Sequence, residues 1–194
     1  YCTDVWFNET LLFIEENKDQ PFFVYLATNT PHGPLHVPEK YRIPYSNQSK
    51  RRAAFYGMIA NIDENVGRLR AALDRLSLDR DTIVVFLNDN GTNGGVDLAG
   101  IDGDTRNGWE VGGFNAGMRG RKTSRYEGGH RAACFIRWPE GGLAGGRDVG
   151  NVTAHIDLMP TVIDLCGLKF QDKSRFDGVS ISAALRGEIP VPER

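Results

Sequence analysis

The sequence predicts an α/β fold, a layered sandwich in which at least part of the sheet is parallel. Two short unbroken apolar runs, "PFFVYLA" and "TIVVFL", have the composition of strands covered on both faces. A long amphipathic stretch from Lys50 to Leu76 lies between them. Helical and strand segments alternate along the chain, the pattern of helices laid on a mostly parallel sheet.

Residues Thr3 to Asn17 read as the first helix, with Val5, Leu11 and Ile14 on one face and the stretch to Pro21 as its break. Phe22 to Ala27 follows as a strand. The segment "TNTPHGPLHVPEKYRIPY" is rich in proline and has no helical period, so it reads as an ordered loop or an extended crossing segment. From Lys50 to Leu76, the residues Phe55, Ile59, Ile62, Val66, Leu69, Leu73 and Leu76 recur four and three apart, which makes one stripe of a long helix. Its opposite face carries Asp63, Glu64, Arg68 and Arg70. A strand is expected over Thr82 to Leu87, and a glycine-rich surface excursion from Gly91 to Gly120, of a length that suits a functional or mobile loop. "RAACFIRW", Arg131 to Trp138, is the next strand. "HIDLMPTVIDLCGL" reads as a last helix ending at Gly167, as a C-terminal glycine requires. No repeat, low-complexity tract or linker interrupts residues 1–194, so one domain is expected.

Composition excludes several function classes. With 194 residues, 40% hydrophobic and 25% charged, the chain can bury a core, and its formal net charge of -2 argues against nucleic acid or an acidic membrane as partner. No apolar run reaches the roughly 20 residues of a membrane span. The first residue is Tyr1, from which a chain cut from something longer is expected. Cys2, Cys134 and Cys166 have no CxxC spacing and are read as small hydrophobes or free thiols rather than zinc ligands. Sequons at Asn8, Asn47 and Asn151 do not by themselves assign a compartment.

Three polar groups stand in loops. "LNDNGT", Leu87 to Thr92, ends an apolar run by presenting Asp89 and Asn90 side by side, a carboxylate and an amide oxygen of the hard kind that Ca²⁺ or Mg²⁺ takes, with Gly91 behind them for a tight turn. From the residues alone, that triplet is a turn or a metal site. His32, in "NTPHGPLHVP", is held among prolines and reads as polar surface or as an acid–base group. Lys122 stands among Arg119, Arg121 and Arg125, a cluster suited either to solvent or to an oxyanion.

The order and wording of these segments resemble the sulfatase family, arylsulfatase type, of the alkaline phosphatase superfamily. "PFFVYLATNTPHGPLHVPEKY" is similar to the family's strand followed by "PH", and "TIVVFLNDNGTNGG" to its metal-binding "DNG" strand end. "MRGRKTSRYEGGHRAACFIRWPE" resembles the lysine-bearing "GGKGTxYEGG" segment, while "HIDLMPTVIDLCGL" and "FDGVSISAALRGE" resemble the elements that follow. The resemblance implies an alkaline-phosphatase-like sandwich with a mostly parallel central sheet, present only in part. It implies a sulfuric ester hydrolase, with Asp89 and Asn90 as ligands of a divalent cation, usually calcium. Lys122 would contact the sulfate and His32 would act as general acid toward the departing alcohol. His36, His130 and His155 receive no catalytic role, and His155 is expected to pack with the last helix. Arg121 and Thr123 stand where the family more often has glycine, so a different local backbone is expected there.

Two departures define the rest. The formylglycine nucleophile of the family arises from Cys or Ser in C/S-x-P-x-R, and no such motif occurs in the sequence. The "DD" segment that supplies further metal ligands is also absent. The chain therefore reads as the later part of a catalytic domain, with weak metal binding and no turnover by itself, and with uncovered apolar edges that favour self-association. The expected substrate is a sulfated small molecule or carbohydrate, and the expected compartment is periplasmic, extracellular or lysosomal. A phosphodiesterase or phosphonate monoester hydrolase of the same superfamily is the alternative enzyme, and a non-catalytic binding or structural fragment the alternative from another class. Trp109 is either a packing residue or a stacking platform for a ring.

Overall fold

A computed structural model describes residues 1–92, 105–106, 109–110, 115–170 and 175–189. The chain divides into two units, Tyr1–Asp79 with Asn90–Ala132, and Arg80–Asp89 with Ala133–Arg194.

In the first unit, helix α1 spans Cys2–Glu16 and buries Thr3, Phe7, Thr10 and Ile14, spaced four, three and four apart as one helical face demands. The helix ends at Asn17, whose Nδ2 donates to the Phe13 carbonyl at 2.8 Å. The buried face differs from the expected one: Val5 is exposed, and Phe7 takes its place in the interior. Helix α2 is the single turn Glu39–Arg42, followed by a 3-10 turn at Ile43–Tyr45. Helix α3, Lys50–Arg75, starts where the Ser49 hydroxyl accepts from the Arg52 amide at 3.3 Å, satisfying one of the open amides of the first turn.

The long helix also buries a face that its leucine and isoleucine stripe does not predict. Ala53, Ala54, Gly57, Met58, Asn61, Asn65 and Leu73 are buried, whereas Ile59 is exposed. The buried row Ala54, Met58, Asn61 and Asn65 runs one residue earlier than the expected stripe, a rotation of about 100°. Close approach explains the small residues: a Cβ on Gly57 would lie 2.9 Å from the Tyr41 backbone carbonyl oxygen of α2. Val37, Tyr41 and Met58 form the apolar cluster at that crossing.

The asparagines are buried because α1 supplies a charge for them. Asn61 and Asn65 each donate through Nδ2 to Asp4 Oδ1, at 2.7 and 2.8 Å. Arg68 closes the network, donating to Asn65 Oδ1 at 2.7 Å and to Asn8 Oδ1 of α1 at 2.6 Å. Partial burial pushes the Asp4 carboxyl up, but the two amide donors and nearby positive charge outweigh it and hold the group below 3.8.

Phe22 to Ala27, expected as a strand, forms no ladder among the described residues. The segment is irregular, with Phe23 at 71% and Tyr25 at 83% exposure, so one alternating side of it has no cover. Further along this unit, strands β2 (Thr105–Arg106) and β3 (Trp109–Glu110) pair antiparallel. The remainder of the expected excursion between Asn93 and Phe114, and the side chain of Trp109, lie outside the described residues. A one-turn helix α4 covers Glu127–His130.

In the second unit, β1 (Val84–Leu87) pairs with β4 (Cys134–Arg137), Val84 opposite Arg137 and Leu87 opposite Cys134. Both ladders among the described residues are antiparallel, unlike the parallel pairing suggested by the apolar runs. An apolar run specifies cover on both faces but not the direction of its neighbour. The last expected helix divides into a 3-10 turn, His155–Asp157, and helix α5, Leu158–Leu165. Gly167 closes α5 at φ 61°, with its amide bonded to Asp164 and the Leu168 amide to Ile163, so the glycine does the work expected of it. Asp157 is buried: its carboxylate accepts from the amides of Ala154 and Val179, at 2.8 and 2.9 Å. The Thr161 hydroxyl accepts from the Ile181 amide at 3.0 Å, so the return segment is tied to the start of α5. That segment leads into helix α6, Ser182–Arg186. His155 is exposed, and the expected packing role passes to Asp157 and Thr161. All three cysteines are free and exposed, so none of them packs as a small hydrophobe in the core.

Candidate active site

Strand β1 ends in polar residues because its ladder is prolonged by one further bond, Asn88 N to Ala133 O at 3.0 Å, after which the chain turns. Asp89 is exposed and has no ion-pair partner among the described residues. Asn90 is half-buried, and its Nδ2 donates to the Gly91 carbonyl at 3.0 Å. That bond engages the amide's NH₂ group, and Oδ1, which has no hydrogen-bond partner among the described residues, can serve as an oxygen ligand. A carboxylate and a free amide oxygen on adjacent residues fit two positions in the shell of a hard divalent cation. Among the described residues no group of three or more His, Cys, Asp or Glu is arranged to hold a metal, so the pair accounts for only part of such a shell.

Gly91 is required by close packing. A Cβ there would run into the carbonyl oxygen of Gly128, and the Gly91 amide donates to Gly129 O at 3.0 Å. One residue on, Thr92 O accepts from the Lys122 amide at 2.7 Å. These two bonds stitch the segment Asn90–Thr92 to the Lys122 loop, so the amide and the ammonium side chain stand on neighbouring strands of backbone.

The Lys122 loop is itself rigid. The Asn115 amide group donates to the carbonyls of Met118 and Gly120, at 2.6 and 3.2 Å, and the Ser124 hydroxyl accepts from the Arg121 amide at 3.0 Å. Gly120, Gly128 and Gly129 each leave no space for a Cβ. Thr123, where the resembled motif has glycine, adopts φ 75°. The loop therefore keeps a left-handed conformation that glycine takes without cost and a β-branched residue takes under strain. Lys122 is half-buried, whereas Arg119, Arg121 and Arg125 are exposed. The guanidinium carbon of Arg119 lies 3.8 Å from the centroid of the Tyr126 ring, and that of Arg125 lies 5.9 Å from it. Sequence reasoning found the arginines but missed the ring that gathers two of them; the spacing of Arg125 and Tyr126 was its available signal.

His32 stands on a different loop. Its amide donates to Asn29 O at 2.8 Å and its Nδ1 lies 2.9 Å from Gly33 O, while the ring is exposed. No hydrogen bond joins it to Asn90 or Lys122 among the described residues. A cavity of about 550 Å³ near the start of α1 is lined by Asn29, Thr30, His36, Val37 and Met58, and includes none of the four expected site residues. Thus the segment that carries Asn90 is joined to the Lys122 loop by backbone bonds at Gly91 and Thr92, and no direct bond among the described residues draws His32 to either.

Comparison with known proteins follows the same outline. The family model described as Sulfatase matches residues 1–168. The steryl-sulfatase of Mus musculus is 34% identical over 187 residues, which is 96% of this chain and 28% of that protein. The N-acetylgalactosamine-6-sulfatase of Rattus norvegicus is 27% identical over 190 residues, 96% of this chain and 33% of that protein. The crystal structure of Ps i-CgsB in complex with k-i-k-neocarrahexaose superposes with a TM-score of 0.81 at 28% identity, covering 98% of this chain and 39% of the other. The chain thus spans about a third or less of the curated relatives it matches.

Proposed function

Since this chain belongs to the sulfatase family, we propose that residues 1–194 form part of the catalytic domain of a longer sulfuric ester hydrolase, which cleaves R–O–SO₃⁻ to an alcohol and sulfate. The observation that supports this reading most directly is the pair of backbone bonds, Gly91 to Gly129 and Lys122 to Thr92, between the "DNG" turn and the lysine loop. An amide ligand and an ammonium group on adjoining segments suit a doubly shared anion better than two unrelated surface turns would.

In this reading Asp89 and Asn90 hold the cation through a carboxylate oxygen and the free amide oxygen. When bound, Ca²⁺ or Mg²⁺ supplies positive charge that draws electron density from the sulfate oxygens. The Lys122 ammonium faces the same oxygens and offsets the charge that builds as the S–O ester bond breaks, a contribution of about 10²–10³ in rate for one such donor. His32 gives its proton to the bridging oxygen as the alcohol leaves, which contributes about 10²–10⁴. None of Cys2, Cys134 or Cys166 lies in a C/S-x-P-x-R motif, so the attacking group is not assigned to this chain. The substrate class is a sulfated small molecule or carbohydrate, and the enzyme works in the periplasm, outside the cell or in the lysosome. No helix among the described residues is long and apolar enough to cross a membrane.

Two measurements test the reading. Calorimetric titration of this chain with Ca²⁺ is expected to give a dissociation constant in the millimolar range or weaker, and a tight stoichiometric site would contradict the incomplete shell. In an enzyme of natural length, Asp89→Ala, Lys122→Ala and His32→Ala are each expected to lower kcat/KM for 4-nitrophenyl sulfate by about 100-fold or more. Full activity in all three variants would refute the assignment.

A further inference from the structure

Arg119 and Arg125 bring two positive charges onto one aromatic ring, at 3.8 and 5.9 Å from the Tyr126 centroid. Neither has a carboxylate partner among the described residues, since the adjacent Glu127 pairs with Arg131 at 3.5 Å. Like charges gathered this way repel each other unless an anion lies between them. The ring attracts each cation by its negative face, and a guanidinium stacked on a ring keeps its in-plane N–H groups free for bidentate bonds to an oxyanion.

The backbone holds Arg119 and the ring-bearing Tyr126 in place. Arg119 O accepts from Gly128 N at 2.8 Å and Tyr126 O accepts from Gly129 N at 2.8 Å, in the glycine-packed loop that also carries Lys122. The clamp is therefore built into a rigid loop, only a few residues from the ammonium group assigned to the scissile sulfate.

We propose that Arg119 and Arg125, bridged by Tyr126, form a subsite for a second sulfate group, so that the preferred substrate is a polysulfated carbohydrate and not a singly sulfated steroid or aryl compound. The proposal rests on the function assigned above and adds the substrate class to it. The Lys122 ammonium faces the sulfate to be removed, and the two guanidiniums bind a neighbouring sulfate on the same oligosaccharide.

Isothermal titration of this chain with sucrose octasulfate, and separately with sodium sulfate, at fixed ionic strength tests the subsite. Arg125→Ala and Arg119→Lys are each expected to weaken octasulfate binding about tenfold, and Tyr126→Leu, which leaves every charge in place, several-fold. Free sulfate, which occupies one position at a time, should bind far more weakly than octasulfate, and its residual binding should fall in the same variants. Arg70→Ala, an exposed arginine on α3, controls for loss of charge alone and should change nothing. Equal losses from Arg70→Ala and Arg125→Ala would mean unspecific attraction and would overturn the proposal, as would unchanged octasulfate affinity in Arg125→Ala. Either result leaves the 4-nitrophenyl sulfate test of Lys122 and Asp89 untouched, so failure of the subsite and failure of the enzyme assignment are read separately.

Discussion

Replacing Asn65 with leucine removes the centre of the polar network between α1 and α3 while keeping a similar side-chain volume. Asn65 is 1% exposed and makes three bonds through its side chain: to Asp4 Oδ1 at 2.8 Å, to Asn61 O at 2.9 Å, and from Arg68 Nη1 at 2.7 Å. Two of these involve a charge and contribute about 2 kcal/mol each, and the third about 1 kcal/mol. Burying the leucine returns about 2 kcal/mol. Asp4 keeps 32% of its side chain exposed, so water restores part of what it loses. The net expectation is a destabilisation of about 2 kcal/mol. With a urea m-value of about 2 kcal/mol/M, the midpoint should fall by about 1 M. Circular dichroism at 222 nm reads this change, because α1 and α3 are the two longest helices of the first unit.

The pH dependence gives a second check on the same variant. The folded Asp4 carboxyl is held below its unfolded value of 3.8. Its stabilisation is therefore fully present above that value and lost as pH falls through the lowered folded value. The gap in stability between the wild-type chain and Asn65→Leu should narrow over that acid window and stay constant near neutrality. A midpoint that moves by less than about 0.3 M at pH 7, or a gap that does not change with acid, would refute the account of the network as a charge-anchored lock.

Other perturbations follow from close packing and exposure. Gly91→Ala places a methyl group in the Gly128 carbonyl oxygen and should break the Lys122–Thr92 bond, so the Lys122 amide would lose its protection from hydrogen exchange; retained protection would show that the two segments are not stitched there. Thr123→Gly removes the strain of a β-branched residue at φ 75° and should stabilise the chain by about 1 kcal/mol in thermal or urea unfolding, the opposite of the usual direction for glycine. Phe23→Lys charges an exposed apolar segment and should reduce concentration-dependent association in analytical ultracentrifugation; unchanged association would show that this segment is not the contact.

The turn at the candidate site was legible because its signals are local. An apolar run that stops at "NDNG" announces a turn with oxygen donors, and the structure places that turn against the lysine loop. The departure from glycine at Thr123 predicted an altered backbone, yet the left-handed conformation persists, because the packing of Gly120, Gly128 and Gly129 leaves the chain no alternative path. The stacking of Arg119 on Tyr126, with Arg125 beside the same ring, was not legible, since nothing in a list of residues says which cations share a ring. The position of His32 was not either: its proline-rich loop is recognisable, but its spatial neighbours depend on segments far away in the chain.

From residue spacing came the existence and extent of α1 and α3 and the glycine stop of α5, because helical periods and caps act within a few residues, while the family was legible through the resemblance of its short motifs to known ones. Only the tertiary structure decided which face of α3 turns inward. Two asparagines displaced a stripe of leucine and isoleucine from that role because Asp4, 57 and 61 residues away, needed their amide donors once it was partly buried, and a buried charge selects its partners by position in space and not by order along the chain.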